Sequence, residues 1–185
     1  SGRLARVDED GWAWFDLQAD SVAPIAAMHR DRRGRLWIAT SGAGVLRLDD
    51  PRSDTLTPIR YTSADGLASD NVRCITEDLQ GRIYFGTVRG INRLDVESGG
   101  MRHYTTVDGL AHEFVIAAAR TANGDLWFGT QFGLSRLVPT PAAGRTPPSV
   151  WISQLRVDGA SQALSELGER SISGLILQSW QDSVE

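Results

Sequence analysis

The sequence predicts an all-β fold made of β-propeller blades, and three observations predict it. One phrase recurs three times at intervals of 47 and 43 residues, as Asp31–Thr40, Asp78–Thr87 and Thr121–Thr130. Apolar and polar residues alternate inside each copy over stretches such as RCIT, RIYFGT, INRL and MRHYT. Gly- and Asp-containing turns separate these stretches. A period of 40 to 50 residues marks a repeat array, and short alternating runs rich in β-branched and aromatic types mark strands. Four short antiparallel strands per repeat make a propeller blade.

Further landmarks keep the same register. A second apolar phrase follows each Thr, as GVLRLD to Asp49, GINRLD to Asp95 and GLSRL to Leu137. YTSADGL at Tyr61 to Leu67 is matched by YTTVDGL at Tyr104 to Leu110, and GRLARVD at Gly2 to Asp8 resembles the second phrase, with Trp14 where the Tyr would fall. Labelling strands a to d from the inside out, residues 22–62 and 70–105 are expected to be complete blades. Residues 2–16 would supply strands c and d only, and 114–138 strands a to c. Because a closed ring takes about four to eight blades, the rest is expected upstream in a longer protein or from other chains.

The recurring residues read as scaffold. In Asp-x-x-Gly the Asp side chain caps the turn between strands a and b, and the Gly takes a positive φ. Trp37, Tyr84 and Trp127 share one position, where a large ring would pack between blades. Arg6, Arg47, Arg93 and Arg136 recur in strand c. A residue that every blade demands is expected to serve packing or ion pairing, so ligand contacts belong where the copies differ.

Those differences lie in the d-to-a and b-to-c loops, which share one face of a propeller. The ligand-binding candidates are Asp70, Asn71, Arg89, His112, Glu113 and Gln131, beside Ser69, Phe114, Val88 and Phe132. His112 next to Glu113 has the composition of an acid–base pair, but adjacent strand residues point to opposite sides, so ordinary loop roles are expected. His29 and His103 lack an acidic or Cys partner at a metal-ligand spacing. No phosphate-cradling loop, nucleophile elbow or paired-carboxylate motif is present, and neither a catalytic residue, a metal nor a cofactor is expected.

Composition narrows the function classes. The 185 residues carry a formal charge of -4, against a general nucleic-acid surface. The basic run Arg30–Arg35 coincides with a turn and is expected to be solvated. The single cysteine, Cys74, forms no internal disulfide and sits in an apolar strand pattern, as a core residue. Neither a bilayer-length apolar run nor a signal segment appears.

The phrases DLQGRIYFGTVRGINRLD and YTTVDGLAHEFV resemble the two-component regulator propeller repeat, over about residues 2 to 138. That resemblance implies a periplasmic sensor region of a hybrid or ordinary histidine kinase, often one of paired seven-bladed rings. It implies a small-molecule ligand, an oligosaccharide in some members, or another propeller subunit as partner, with a homodimer among the arrangements. Attachment to a membrane would come only through the parent protein. After a Pro-rich linker at 139–149, VWISQLRVDG reads as a strand and a tight Asp158-Gly159 turn, and 147–159 resemble the opening of the three-tyrosine sandwich domain of that family. Residues 150–185 are expected to be a truncated or divergent start of such a sandwich; beyond 159 the strand pattern fails, and Leu164 to Glu169 suit a helix equally well.

The leading expectation is therefore a ligand-sensing or interaction segment that passes a rigid-body change to a histidine kinase outside this chain. One rival is a propeller enzyme of the streptogramin-lyase or lactonase type, although IAAM, VRCI and VIAA in strand a offer almost no inward His, Glu or Asp for its metal. The other is a structural fragment without a ligand.

Overall fold

The computed structural model describes residues 3–8, 11–16, 23–140, 155–157 and 160–162. Two compact units divide the chain, Ser1–Pro141 and Ala142–Glu185. In the first, the alternating phrases pair in chain order. β1 (Arg3–Asp8) and β2 (Gly11–Asp16) form an antiparallel hairpin. β3 (Ile25–Arg30), β4 (Leu36–Thr40), β5 (Val45–Leu48) and β6 (Ile59–Tyr61) form a four-stranded meander. A second comprises β7 (Val72–Glu77), β8 (Ile83–Thr87), β9 (Gly90–Leu94) and β10 (Met101–Tyr104). A third sheet has β11 (Val115–Arg120), β12 (Leu126–Thr130) and β13 (Gly133–Leu137). These are propeller blades with strands a to d in sequence order, and β3, β7 and β11 lie side by side on the inner edge.

Each strand a carries a register shift at the same place, between Ile25 and Ala27, Val72 and Cys74, and Val115 and Ala117. An extra residue there bends the strand and strengthens its twist. Sequence alternation alone does not reveal it.

The turns are built as the repeated Asp requires. Asp31 Oδ1 accepts from the amides of Arg33 and Arg35, while Oδ2 accepts from Arg35 Nε at 2.6 Å and Trp37 Nε1 at 2.8 Å. Asp78 repeats this with the amides of Gln80 and Arg82, with Arg82 Nε, and with the Tyr84 hydroxyl at 3.0 Å. Burial works to raise the Asp31 pKa, but hydrogen bonds from Trp37 and Arg35 outweigh it and hold the carboxyl below its usual range. In the third copy Thr121 replaces the Asp, and the acid moves to Asp125, which pairs with Arg136 at 2.5 Å.

Between the first two complete blades, Trp37, Ala39 and Val45 meet Val72, Ile75, Ile83, Phe85 and Leu94. Between the next two, Cys74, Tyr84 and Ile91 meet Val115, Leu126 and Phe128. Trp127, at the equivalent ring position, is only half-buried. Burial pushes the Cys74 thiol up to about 12, as befits a core residue. The arginines of strand c are structural too: Arg47 donates to the Tyr61 hydroxyl at 2.7 Å, Arg93 to that of Tyr104 at 3.3 Å, and Arg6 pairs with Asp54 at 3.2 Å.

Arg30–Arg35 does form a turn, but it is more than a solvated one. Arg32 pairs with the buried Glu77 of the next blade at 3.2 Å and donates to the Leu79 carbonyl at 2.6 Å, while Arg33 pairs with Glu97. Facing the same carboxylate, His29 Nε2 stands 3.7 Å from Glu77 Oε2, an acidic partner that chain spacing does not disclose.

In the second unit, β14 (Leu155–Val157) pairs with β15 (Ala160–Gln162). A short strand thus follows residue 159, where the sequence pattern suggested none. The Asp158-Gly159 turn between them, the helical alternative at 164–169, and all but Pro139 and Thr140 of the linker lie outside the described residues.

Three substitutions probe this packing. A Cβ on Gly86 would stand 2.3 Å from Cys74 Sγ and 2.7 Å from Val115 Cγ1, whereas one on Gly129 meets only Ala117 Cβ at 3.7 Å. Gly86→Ala is expected to destabilise the unit by about 1–3 kcal/mol and Gly129→Ala by less than about 0.5 kcal/mol, read from urea unfolding. Asp78→Ala strands a buried Arg82 guanidinium and is expected to cost about 3–5 kcal/mol on the same assay.

Candidate functional site

The second motif, Y-x-x-x-D-G-L, builds the loop that leads from strand d into the next blade. Ser63–Asp65 and Thr106–Asp108 are single 3₁₀ turns, which the strand pattern does not foretell. Asp65 accepts from the Thr62 amide at 2.8 Å, and Asp108 from that of Thr105 at 3.0 Å. Gly66 and Gly109 close these turns at φ 99° and 98°, a left-handed conformation that glycine adopts without strain. Leu67 and Leu110 then plug the interblade cores.

Strand c fastens the same loops from below. Buried Asn92 donates through Nδ2 to the Gly66 carbonyl at 3.1 Å and accepts the Ala68 amide at 2.9 Å. Ser135 Oγ accepts the Ala111 amide at 2.8 Å. Neither residue stands among the candidates read from sequence. Their signal was there: both are polar at the centre of an apolar phrase, at a position that the first copy fills with Leu46.

The b-to-c turns join these loops into one continuous arc. Ser41, Val88 and Gln131 each donate a backbone amide to the strand-a approach of their own blade, at Pro24, Asn71 and Phe114. Across blades, Gly42 and Gly44 donate to the Asp70 carbonyl and Gly90 to that of Glu113. The six candidates therefore share one face, linked by backbone from Asp70 and Asn71 through Arg89 to Glu113 and Gln131, with His112 beside them.

Their side chains differ in what they leave available. The Asp70 carboxylate is already engaged by the Ser63 amide at 2.6 Å and its hydroxyl at 3.1 Å. Asn71 Oδ1 is buried without a hydrogen-bond partner. Arg89, Glu113 and Gln131 are exposed, and the Arg89 carbonyl is held by His103 Nε2 at 2.7 Å. His112 Nδ1 accepts the Phe114 amide, which leaves its proton on Nε2 when the ring is neutral. The ring packs edge-on against Phe132 at 4.9 Å, and Phe132 is 73% exposed. No hydrogen bond links His112 to Glu113 among the described contacts. Nor does any cluster of three His, Cys, Asp or Glu among the described residues suit a metal ion.

The model of the two-component regulator propeller family matches residues 20–42, the stretch from the approach to β3 through β4. That stretch carries the two-component regulator propeller repeat. Solved structures agree at the level of fold. The extracellular domain of BT4673, described as a hybrid two-component system of B. thetaiotaomicron, superposes with a TM-score of 0.62 at 17% identity, over 75% of this chain and 20% of that one. The corresponding domain of BT3049 from the same organism gives 0.55 at 18% identity, over 72% and 21%. Virginiamycin B lyase from Staphylococcus aureus gives 0.56 at 19% identity, over 74% and 45%. This chain thus spans about a fifth of the length of the two-component domains. No curated protein matches it in sequence.

Asn92→Leu installs the residue of the first copy and leaves the Gly66 carbonyl and Ala68 amide without partners. It is expected to cost about 1–3 kcal/mol and to speed amide exchange in 62–71 more than in 105–114, as hydrogen-exchange mass spectrometry would resolve.

Proposed function

We propose that this chain is a ligand-sensing segment of an extracytoplasmic two-component sensor, whose output is a rigid-body change passed to a histidine kinase outside the chain. One observation carries the reading: the divergent loop residues form an arc across neighbouring blades, stitched by the interblade bonds from Gly42, Gly44 and Gly90. A ligand that touches two loops of this arc biases the relative setting of two blades, and the shift is limited by its differential affinity for the settings. Asn71, Arg89, His112, Glu113 and Gln131 are the proposed contacts. Asp70 holds the loop that presents Asn71.

Exposed Phe132, braced by His112, offers a ring face beside polar groups, which suits an oligosaccharide in preference to a compact ion. The extracellular setting is that of the two-component domains similar in fold. Another propeller subunit on the same arc, as in a homodimer, is the alternative partner.

A lyase-type enzyme shares the fold. The sensing reading is favoured because the inner strands IAAMHR, VRCITE and VIAAAR offer only His29 and Glu77 as acid–base groups, and Glu77 is already paired with Arg32.

Titration of the chain with neutral and sulfated oligosaccharides, followed by amide NMR, tests the proposal. Shifts confined to 69–71, 88–90, 111–114 and 131–132, with affinity at least tenfold weaker in Arg89→Ala and Glu113→Ala at unchanged melting temperature, are expected. Shifts elsewhere, or turnover of the sugar, would refute it.

A further inference from the structure

The opposite end of the blades, where the a-to-b and c-to-d turns lie, holds a groove of a different character. About 560 Å³ in volume, it runs between β1 and the first complete blade and is lined by Arg6, Val7, Arg30, Leu36, Pro51 and Arg52. Three guanidinium groups therefore share a cleft with three apolar side chains.

Comparison with the next junction shows that this charge is not demanded by the repeat. The last residue of strand a is Arg30 in one blade and Glu77 in the next, and the c-to-d turn supplies Arg52 in one and Glu97 in the other. Glu77 and Glu97 are taken by Arg32 and Arg33 of the preceding turn. At the first junction both positions are cationic. Arg30 makes one long hydrogen bond, from Nε to the Gly34 carbonyl at 3.4 Å, and neither it nor Arg52 has a carboxylate partner among the described residues. Arg6 is held by Asp54 and by the Arg52 and Ser53 carbonyls, which fixes that side of the groove.

We propose that this groove is a binding site for a small amphiphilic carboxylate. The guanidinium fork matches a carboxylate in two parallel hydrogen bonds, and Arg30 and Arg52 have that capacity to spare. Val7, 59% exposed, together with Leu36 and Pro51 supplies an apolar wall for a short aliphatic body. A bare anion would use only half of the cleft. The site is separate from the arc of loops proposed for sensing, at the other end of the strands, so each stands or falls by itself.

The test uses the whole chain and three probes: hexanoate, acetate and inorganic phosphate, titrated at fixed ionic strength. Side-chain NMR of the arginine Nε–H groups and the Val7 and Leu36 methyls reports on occupancy. Hexanoate is expected to shift Arg30, Arg52 and both methyls together and to bind at least tenfold more tightly than acetate or phosphate. Arg52→Glu should weaken it at least tenfold, as should Arg30→Gln, a milder change in case Arg52→Glu impairs folding. Arg102→Ala, remote from the groove, should leave it unchanged. Equal, weak responses to all three probes would mean screening of surface charge and would overturn the proposal. So would hexanoate binding that survives Arg52→Glu. A concentration-dependent rise in solution mass that Arg52→Glu abolishes, with no response to hexanoate, would assign the groove to an acidic segment of another copy instead.

Discussion

The buried carboxylate at the head of each a-to-b turn is the constraint on which the complete blades depend. Asp31 and Asp78 each gather two turn amides, the arginine four residues on, and the polar edge of the ring that fills the next junction. One side chain thereby couples a turn to an interblade contact. Because Trp37 and Tyr84 are almost wholly buried, their polar edges need a partner inside the protein, and the same carboxylate supplies it. An isolated blade would leave that ring face in water. The packing face of each blade is completed by its neighbour, as expected of a repeat protein in which stability resides in nearest-neighbour interfaces.

The third copy shows what happens when the arrangement is altered. Thr121 bonds locally with Asn123 and the Asp125 carbonyl, while Asp125 pairs with Arg136 of strand c. Trp127 then receives Arg136 over its face at 6.0 Å and remains partly open. The fold of the blade is unchanged. The polar support of its ring has moved from the turn to the adjacent strand.

The same logic separates scaffold from site. Glycines in the turns and leucines after the 3₁₀ turns are used in the same way in the copies described, and the strand-c arginines, though their partners differ, are each engaged within the fold, so these residues hold the scaffold. Positions where the copies disagree are released from that demand, and the proposed contacts lie among them, at both ends of the blades. At one end the loops differ in Asn71, Arg89, His112, Glu113 and Gln131 while their backbones remain stitched together. At the other, the reversal from Glu77 to Arg30 turns a closed ionic strap into an open cationic groove.

How much of this was legible in the sequence follows from the range of each interaction. The blade pattern, the strand order, the capping Asp and the core positions of Trp37, Tyr84 and Cys74 were readable, because they rest on period-two alternation and contacts repeated at fixed spacing. The common face of the candidate loops was readable too, since an antiparallel meander returns alternate connections to the same end. Several features were not. The engagement of Asp70 by Ser63, the clamp of Asn92 on Gly66 and Ala68, and the approach of His29 and Arg32 to Glu77 join residues 7 to 48 positions apart. No local pattern encodes such distances. By itself the sequence determined the kind of sheet and its repeat; only the tertiary structure decided which polar side chains were consumed in holding blades together and which were left unengaged, because that depends on which blade faces come into contact.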